Sequence, residues 1–126
     1  MGTEQAKVLI VDDDSQILTM LQRLMKFKGI ESIACSSAKE ALTVLRSSES
    51  IRLVLLDINM PEMSGLELLE KMIRIMPSVH VIMITGLGDL DVARKCMELG
   101  AKDFITKPFD LDYLQTSVLA EIIPML

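Results

Sequence analysis

Leu53-Val54-Leu55-Leu56-Asp57 is a run of four apolar side chains stopped by a carboxylate. A strand with one wet face alternates apolar and polar residues. A continuous run of this length is what a strand covered on both faces requires. Working outward, Val8-Leu9-Ile10-Val11 has the same form and is stopped by Asp12-Asp13-Asp14. Val79 to Ile84 is a further strand, apolar but for His80 and ended by Thr85-Gly86. Weaker runs at Ile30 to Cys35 and Lys102 to Ile105 complete a set of five.

The stretches between them carry helical period. Ile17, Leu21, Leu24 and Met25 recur at three- and four-residue steps, and Gly29 supplies a stop. Ser37-Ala38-Lys39-Glu40 has the form of a capping box, in which the serine oxygen accepts a backbone N–H and the glutamate reaches back. Behind it Ala38, Ala41, Leu42 and Leu45 share one face. Ser64-Gly65-Leu66-Glu67 opens a helix with Leu66, Leu69, Met72, Ile73 and Met76, closed by Pro77. A fourth helix spans about Asp89 to Leu99 before Gly100. Lys107-Pro108 breaks the chain ahead of a last one carrying Leu111, Leu114, Val118 and Ile122. Five βα units with right-handed crossovers predict an α/β fold: a doubly wound parallel sheet with helices on both faces.

Composition bounds the rest. The 126 residues suffice for one domain over 1–126, half of them are apolar, and the net charge is -5. An acidic chain lacks the basic footprint of a nucleic-acid-binding domain, so direct nucleic-acid binding is not expected. No apolar run approaches a membrane span, and Met1 to Lys7 has no signal-peptide core, so a cytoplasmic location is the expectation. Cys35 and Cys96 lack metal-ligand spacing and read as small buried apolar residues. The ten methionines read as gap-filling core groups.

In a doubly wound sheet, ligands bind beyond the carboxyl ends of the strands. Asp12 and Asp13 follow the first strand, Asp57 the third, Thr85 the fourth and Lys107 the fifth, so five polar groups converge on one edge. Any one of them would be an ordinary loop residue; the joint pattern is informative. Two like charges ~4 Å apart repel by ~4 kcal/mol at an effective dielectric of ~20, so three carboxylates need more than one lysine to balance them. A hard divalent ion fits. Mg²⁺ suits it best, because it binds through one or two carboxylates plus phosphate oxygens, whereas no loop of alternating oxygen ligands favours Ca²⁺. A carboxylate nucleophile, a metal, a lysine and a hydroxyl are also the parts that phosphoryl transfer needs.

The segments at 8–14, 53–69, 81–86 and 101–109, which contain these residues, resemble the receiver domains of bacterial two-component response regulators in order and spacing. The resemblance implies a flavodoxin-like fold with strand order 2-1-3-4-5. It implies Asp57 as phospho-acceptor, with Asp13 contacting Mg²⁺ directly, Asp12 holding a metal-bound water and Asn59 ligating through its backbone carbonyl. Thr85 and Lys107 would bind the phosphoryl group, and the Lys107–Pro108 peptide would be cis. The implied phosphate source is a sensor histidine kinase or a phosphotransfer protein. The implied chemistry is that of a signalling switch rather than an enzyme acting on a separate substrate.

The resemblance also implies a switch in which Thr85 moves toward the phosphoryl group and an aromatic residue, here Phe104, turns inward behind it. Tyrosine is frequent at that position, and phenylalanine lacks its hydroxyl. The surface expected to respond is the fourth helix, fifth strand and fifth helix, including Lys95 and Lys102. Leu87, two residues after Thr85, is expected to orient water poorly and to give a phosphoryl lifetime of minutes or longer. Asp14 reads as a solvent-facing acidic neighbour and His80 as a structural histidine. A haloacid-dehalogenase-type phosphatase is disfavoured because Asn59 stands where its second aspartate belongs. A phosphorylation-independent docking module is disfavoured because the acidic pocket is intact. The apolar ending Ile122-Ile123-Pro124-Met125-Leu126 suggests an output domain beyond this chain, or a stand-alone receiver with a packed tail or homodimer interface.

Overall fold

The computed structural model describes residues 7–48, 50–58, 60–86, 90–108 and 110–125. Strands and helices alternate along them: β1 (Lys7–Val11), α1 (Ser15–Phe27), β2 (Ser32–Cys35), α2 (Ala38–Ser47) and β3 (Ile51–Asp57). Then follow α3 (Gly65–Ile75), β4 (His80–Thr85), α4 (Leu90–Leu99), β5 (Asp103–Thr106), α5 (Leu111–Ile122) and a 3₁₀ turn at Ile123–Met125. All neighbouring strands are parallel, in the order β2-β1-β3-β4-β5. The expected doubly wound sheet is therefore the observed one.

Strand alternation divides the core in two. Leu9, Val11, Val54, Leu56, Val81 and Met83 face one way and pack under α2, α3 and α4. Val8, Ile10, Leu53, Leu55, Ile82, Ile84 and Ile105 face the other way, under α1 and α5. Each fully buried aliphatic side chain contributes roughly 1.5–3 kcal/mol, so neither face of the sheet can be left wet. Cys35 and Cys96 are free thiols buried in the first of these layers, as their spacing suggested.

Several boundaries differ from the sequence reading. β2 starts at Ser32 rather than Ile30 because Ile30 belongs to the end of α1. Gly29 has φ 74°, its N–H donates to Lys26 O at 3.0 Å, and the Ile30 N–H donates to Met25 O at 2.8 Å. That pair of bonds is a Schellman ending. Gly100 (φ 118°) and Ala101 end α4 in the same way, on Met97 O and Cys96 O. β4 and β5 each run one residue later than expected: the Val79 N–H closes a turn on Met76 O, so pairing begins at His80. Among the helical faces, Leu18 and Leu68 are buried although the periodicity singled out their neighbours, and Leu111 is exposed. Leu111 opens α5 directly behind its N-cap, before the helix has settled onto the sheet.

Capping explains the helix starts. Ser37 and Ser64 accept the N–H groups of Glu40 and Glu67 at 3.1 and 3.2 Å, while the Glu40 carboxylate reaches back to Ser36 N rather than to Ser37. Asp14, read as a mere acidic neighbour, is the N-cap of α1, accepting from Gln16 N and Ile17 N. Its signal was available: an aspartate immediately ahead of a periodic run is a helix start.

Candidate functional site

Strand order reverses at β1, which pairs with β2 on one side and β3 on the other. Asp12 follows β1 and Asp57 ends β3, so both lie at the reversal point where such sheets open a crevice. Asp12 is wholly buried, Asp57 is 3% exposed and Asp13 faces solvent. Carboxylate oxygens of the three lie within 4.8 Å of one another.

Each member is positioned by local bonding. Asp12 Oδ1 accepts the Asp14 N–H at 2.9 Å, which ties the acidic pair to the α1 cap. Its Oδ2 lies 3.3 Å from Lys107 Nζ, which also stands 3.6 Å from Asp57 Oδ2. The Lys107 N–H donates to Thr85 O at 2.7 Å, and the Lys107–Pro108 peptide is cis. The ammonium thus reaches into the crevice from a backbone hung on the end of β4. Thr85 is fully buried and its hydroxyl donates to Gly86 O at 3.1 Å.

The loop after β3 is shaped by a close approach. The Ile58 N–H donates to Ile84 O at 2.9 Å, and the Gly65 N–H donates to Ile58 O at 2.9 Å. A Cβ on Gly65 would lie 2.6 Å from Ile58 Cα, so only glycine allows α3 to begin against that backbone. The sequence reading used Gly65 as part of a capping box and missed this contact.

Asp12, Asp13, Asp57 and Lys107 are therefore brought together, with Thr85 on the neighbouring strand one step past the residue that pairs with Asp57. Phe104, half-buried, pairs with Met83 and packs against the layer that includes Ala93 and Cys96 of α4. The roles expected for Asn59 and Leu87 fall outside the described residues. His80 lies at the start of β4, at the far end of that strand from Thr85, with Nδ1 2.7 Å from Glu121 Oε1.

In charge terms, the cluster offers, among the described residues, three carboxylates against one ammonium. Oxygen donors with excess negative charge are the chemistry that a hard cation or a transferred phosphoryl group's counter-ions require. A family model described as the response regulator receiver domain matches residues 8–119.

The chain belongs to the response-regulator receiver family.

The receiver is a signalling switch by family, and its relatives span several lengths. It is 36% identical over 112 residues to sporulation initiation phosphotransferase F of Bacillus subtilis, covering 89% of this chain and 90% of that protein. It is 38% identical over 108 residues to the chemotaxis protein CheY of Listeria monocytogenes, covering 84% and 89%. It is also 36% identical to the transcriptional regulatory protein ZraR of Klebsiella oxytoca, covering 94% of this chain but 26% of that regulator. The receiver thus spans nearly the whole of some relatives and about a quarter of another. Among solved structures, a response regulator receiver domain from Clostridium thermocellum superposes with a TM-score of 0.90 at 35% identity, covering 95% of this chain and 96% of that one. Among the described residues, no helix is long and apolar enough to cross a membrane.

Proposed function

We propose that this receiver accepts a phosphoryl group on Asp57 in a Mg²⁺-dependent reaction and passes the change to the α4–β5–α5 surface. The observation that carries the reading is the single crevice shared by Asp12, Asp13, Asp57 and Lys107. An oxygen of Asp57 attacks phosphorus, a new O–P bond forms, and the bond to the donor breaks with its electron pair leaving on the donor. With a histidine kinase or phosphotransfer protein the P–N bond breaks and the leaving group is that protein's own imidazole. With a small acyl phosphate the P–O bond breaks and the leaving group is a carboxylate. Lys107, already 3.6 Å from Asp57, pairs with a transferred oxygen, and the Thr85 hydroxyl exchanges its bond to Gly86 O for one to the phosphoryl group.

Asp12, Asp13 and Asp57 fit Mg²⁺ by donor type and by their unbalanced charge. When bound, the ion supplies neutralising charge to the carboxylates and to the oxygens being transferred. The Asn59 carbonyl is proposed as a further ligand. Phe104 then turns toward the space Thr85 leaves, shifting a population between two states rather than creating a new one. We further assign residues 1–126 to one receiver domain acting on an output domain, a separate partner or a second copy.

The test is intact-mass measurement after incubation with acetyl phosphate, with Mg²⁺ and with EDTA, beside Asp57→Asn. The expected result is a single phosphoryl adduct that needs Mg²⁺ and is absent from the variant. A folded protein that gains no adduct in Mg²⁺ and binds no beryllofluoride would make the docking-module reading the better one.

A further inference from the structure

Asp103 opens β5 and pairs with Ile82 in the sheet. Its Oδ1 accepts the Phe104 N–H at 2.8 Å. Its Oδ2 accepts the Ser117 hydroxyl at 2.6 Å and the Tyr113 hydroxyl at 2.8 Å. One carboxylate therefore holds the backbone of the proposed switch residue and two hydroxyls of α5. Tyr113 is fixed at its other end as well, since its N–H donates to the Asp110 cap at 3.2 Å. Tyr113, 47% exposed, lines a groove of about 350 Å³ with Phe104, Thr106, Pro108 and Asp110.

The two ends of this connection answer to different parts of the molecule. Asp103 is anchored in the sheet through β4. Asp110 and Tyr113 follow Lys107 by three and six residues, and Lys107 holds Asp57 and Asp12. A phosphoryl group that drew in the Lys107 ammonium and the Thr85 hydroxyl would pull on α5 through Lys107, while Asp103 is held by its pairing with Ile82. The bonds from Tyr113 and Ser117 to Asp103 are where such a displacement would be felt.

We propose that Asp103, Tyr113 and Ser117 form a latch that couples α5 to occupancy of the Asp57 site, with Asp103 as its positioning residue. This rests on Asp57 being the phospho-acceptor. The latch is closed in the unphosphorylated protein and opens when the site is filled, freeing the Tyr113 hydroxyl at the groove beside Phe104. It supplies there the aromatic hydroxyl that Phe104 lacks. Coupling of this kind is reciprocal, so an opened latch also favours the phosphorylated state. The Tyr113 phenol is held above its usual pKa chiefly by the hydrogen bond to Asp103, which agrees with a closed latch.

Tyr113 is the sole tyrosine and the chain has no tryptophan, so its emission reports the latch directly. A carboxylate hydrogen-bonded to a phenol quenches that emission. The experiment records tyrosine emission near neutral pH for the wild type, Asp103→Asn and Ser117→Ala, with and without beryllofluoride and Mg²⁺. Intact mass after acetyl phosphate treatment is followed in parallel. The expected result is a rise in wild-type emission on activation, a raised emission in Asp103→Asn that no longer responds, and an intermediate response in Ser117→Ala. Asp103→Asn should also bind beryllofluoride more tightly than the wild type in a calorimetric titration. A phosphoryl adduct with unchanged emission overturns the latch and leaves Asp57 standing, as does an Asp103→Asn variant that binds beryllofluoride with wild-type affinity. Absence of any adduct overturns the Asp57 assignment and the latch with it.

Discussion

Lys107 Nζ stands 3.6 Å from Asp57 Oδ2, at the end of a side chain only 29% exposed. The same ammonium is 3.3 Å from Asp12, so it occupies the negative field that a bound cation would share. Two opposed roles follow for one residue: it competes with a metal for the carboxylates, and it assists the phosphoryl group once that arrives.

Replacing it by methionine, of similar length and no charge, separates the roles. Lys107→Met is expected to bind Mg²⁺ more tightly, by about tenfold or ~1.4 kcal/mol. Phosphorylation by acetyl phosphate should slow by about 10²-fold, the usual scale for losing one charged stabiliser. Calorimetric titration with Mg²⁺ and the adduct rate give the two numbers. Weaker Mg²⁺ binding in the variant would show that Lys107 positions the carboxylates instead of competing for them.

Asp57→Asn should change the sign of its effect with Mg²⁺. In EDTA the wild type crowds three carboxylates around one lysine, and removing one charge relieves repulsion. The variant is expected to be more stable there by about 1 kcal/mol. At Mg²⁺ near 100 times Kd the wild type gains ~2.7 kcal/mol by linkage, which reverses the order because the variant binds the ion more weakly. Urea denaturation under both conditions checks this. A variant less stable in both would mean that Asp57 is held by bonds worth more than the repulsion it causes.

Gly65 makes a prediction about the loop that carries Asp57 toward α3. With 2.6 Å between an added Cβ and Ile58 Cα, Gly65→Ala must displace backbone, and it also strains the 2.9 Å bond from Gly65 N to Ile58 O. A loss of about 2–3 kcal/mol is expected, at the upper range for overpacking. Gly29→Ala is the control: nothing lies within 4 Å of its Cβ, and only the φ of 74° penalises it, by about 1–2 kcal/mol. Thermal unfolding of both variants separates a steric from a conformational requirement.

These sites differ in how far they were legible beforehand. The run Leu53 to Asp57 and its counterpart Val8 to Asp12 declared buried parallel strands and placed two carboxylates at one sheet edge, because continuous apolarity and a polar stop are local signals. The Lys107 and Thr85 positions followed from the same strand-end logic. Gly65 was visible as a residue but not as a contact, since its reason is Ile58, brought near only by the folded loop. The grouping of Asp103 with Tyr113 and Ser117 has no periodic signature at all. It depends on how α5 settles on β5, a tertiary fact. Ile30 was misassigned because an apolar residue after a helix-ending glycine serves a Schellman cap as readily as a strand.

Cys35 gives a test that reads burial through pH. Burial, then a hydrogen bond and the charge of Glu40, push its thiol up from 9.0 to about 12. The thiolate is the reactive form, so at pH 8 roughly one molecule in 10⁴ carries it. Cys96 is also raised by burial. Neither thiol should react with a disulfide reagent in the native protein, and both should react together at the rate of global unfolding. The folded pKa of Cys35 exceeds the unfolded one, so the folded state keeps its proton while the unfolded state loses it. The resulting stabilisation is complete below about pH 9 and is lost as pH rises from there toward 12. Cys35→Ala removes that term and should flatten the alkaline fall in stability, at the cost of a small cavity at all pH values. An alkaline limb of unchanged steepness in Cys35→Ala would assign the fall to other groups.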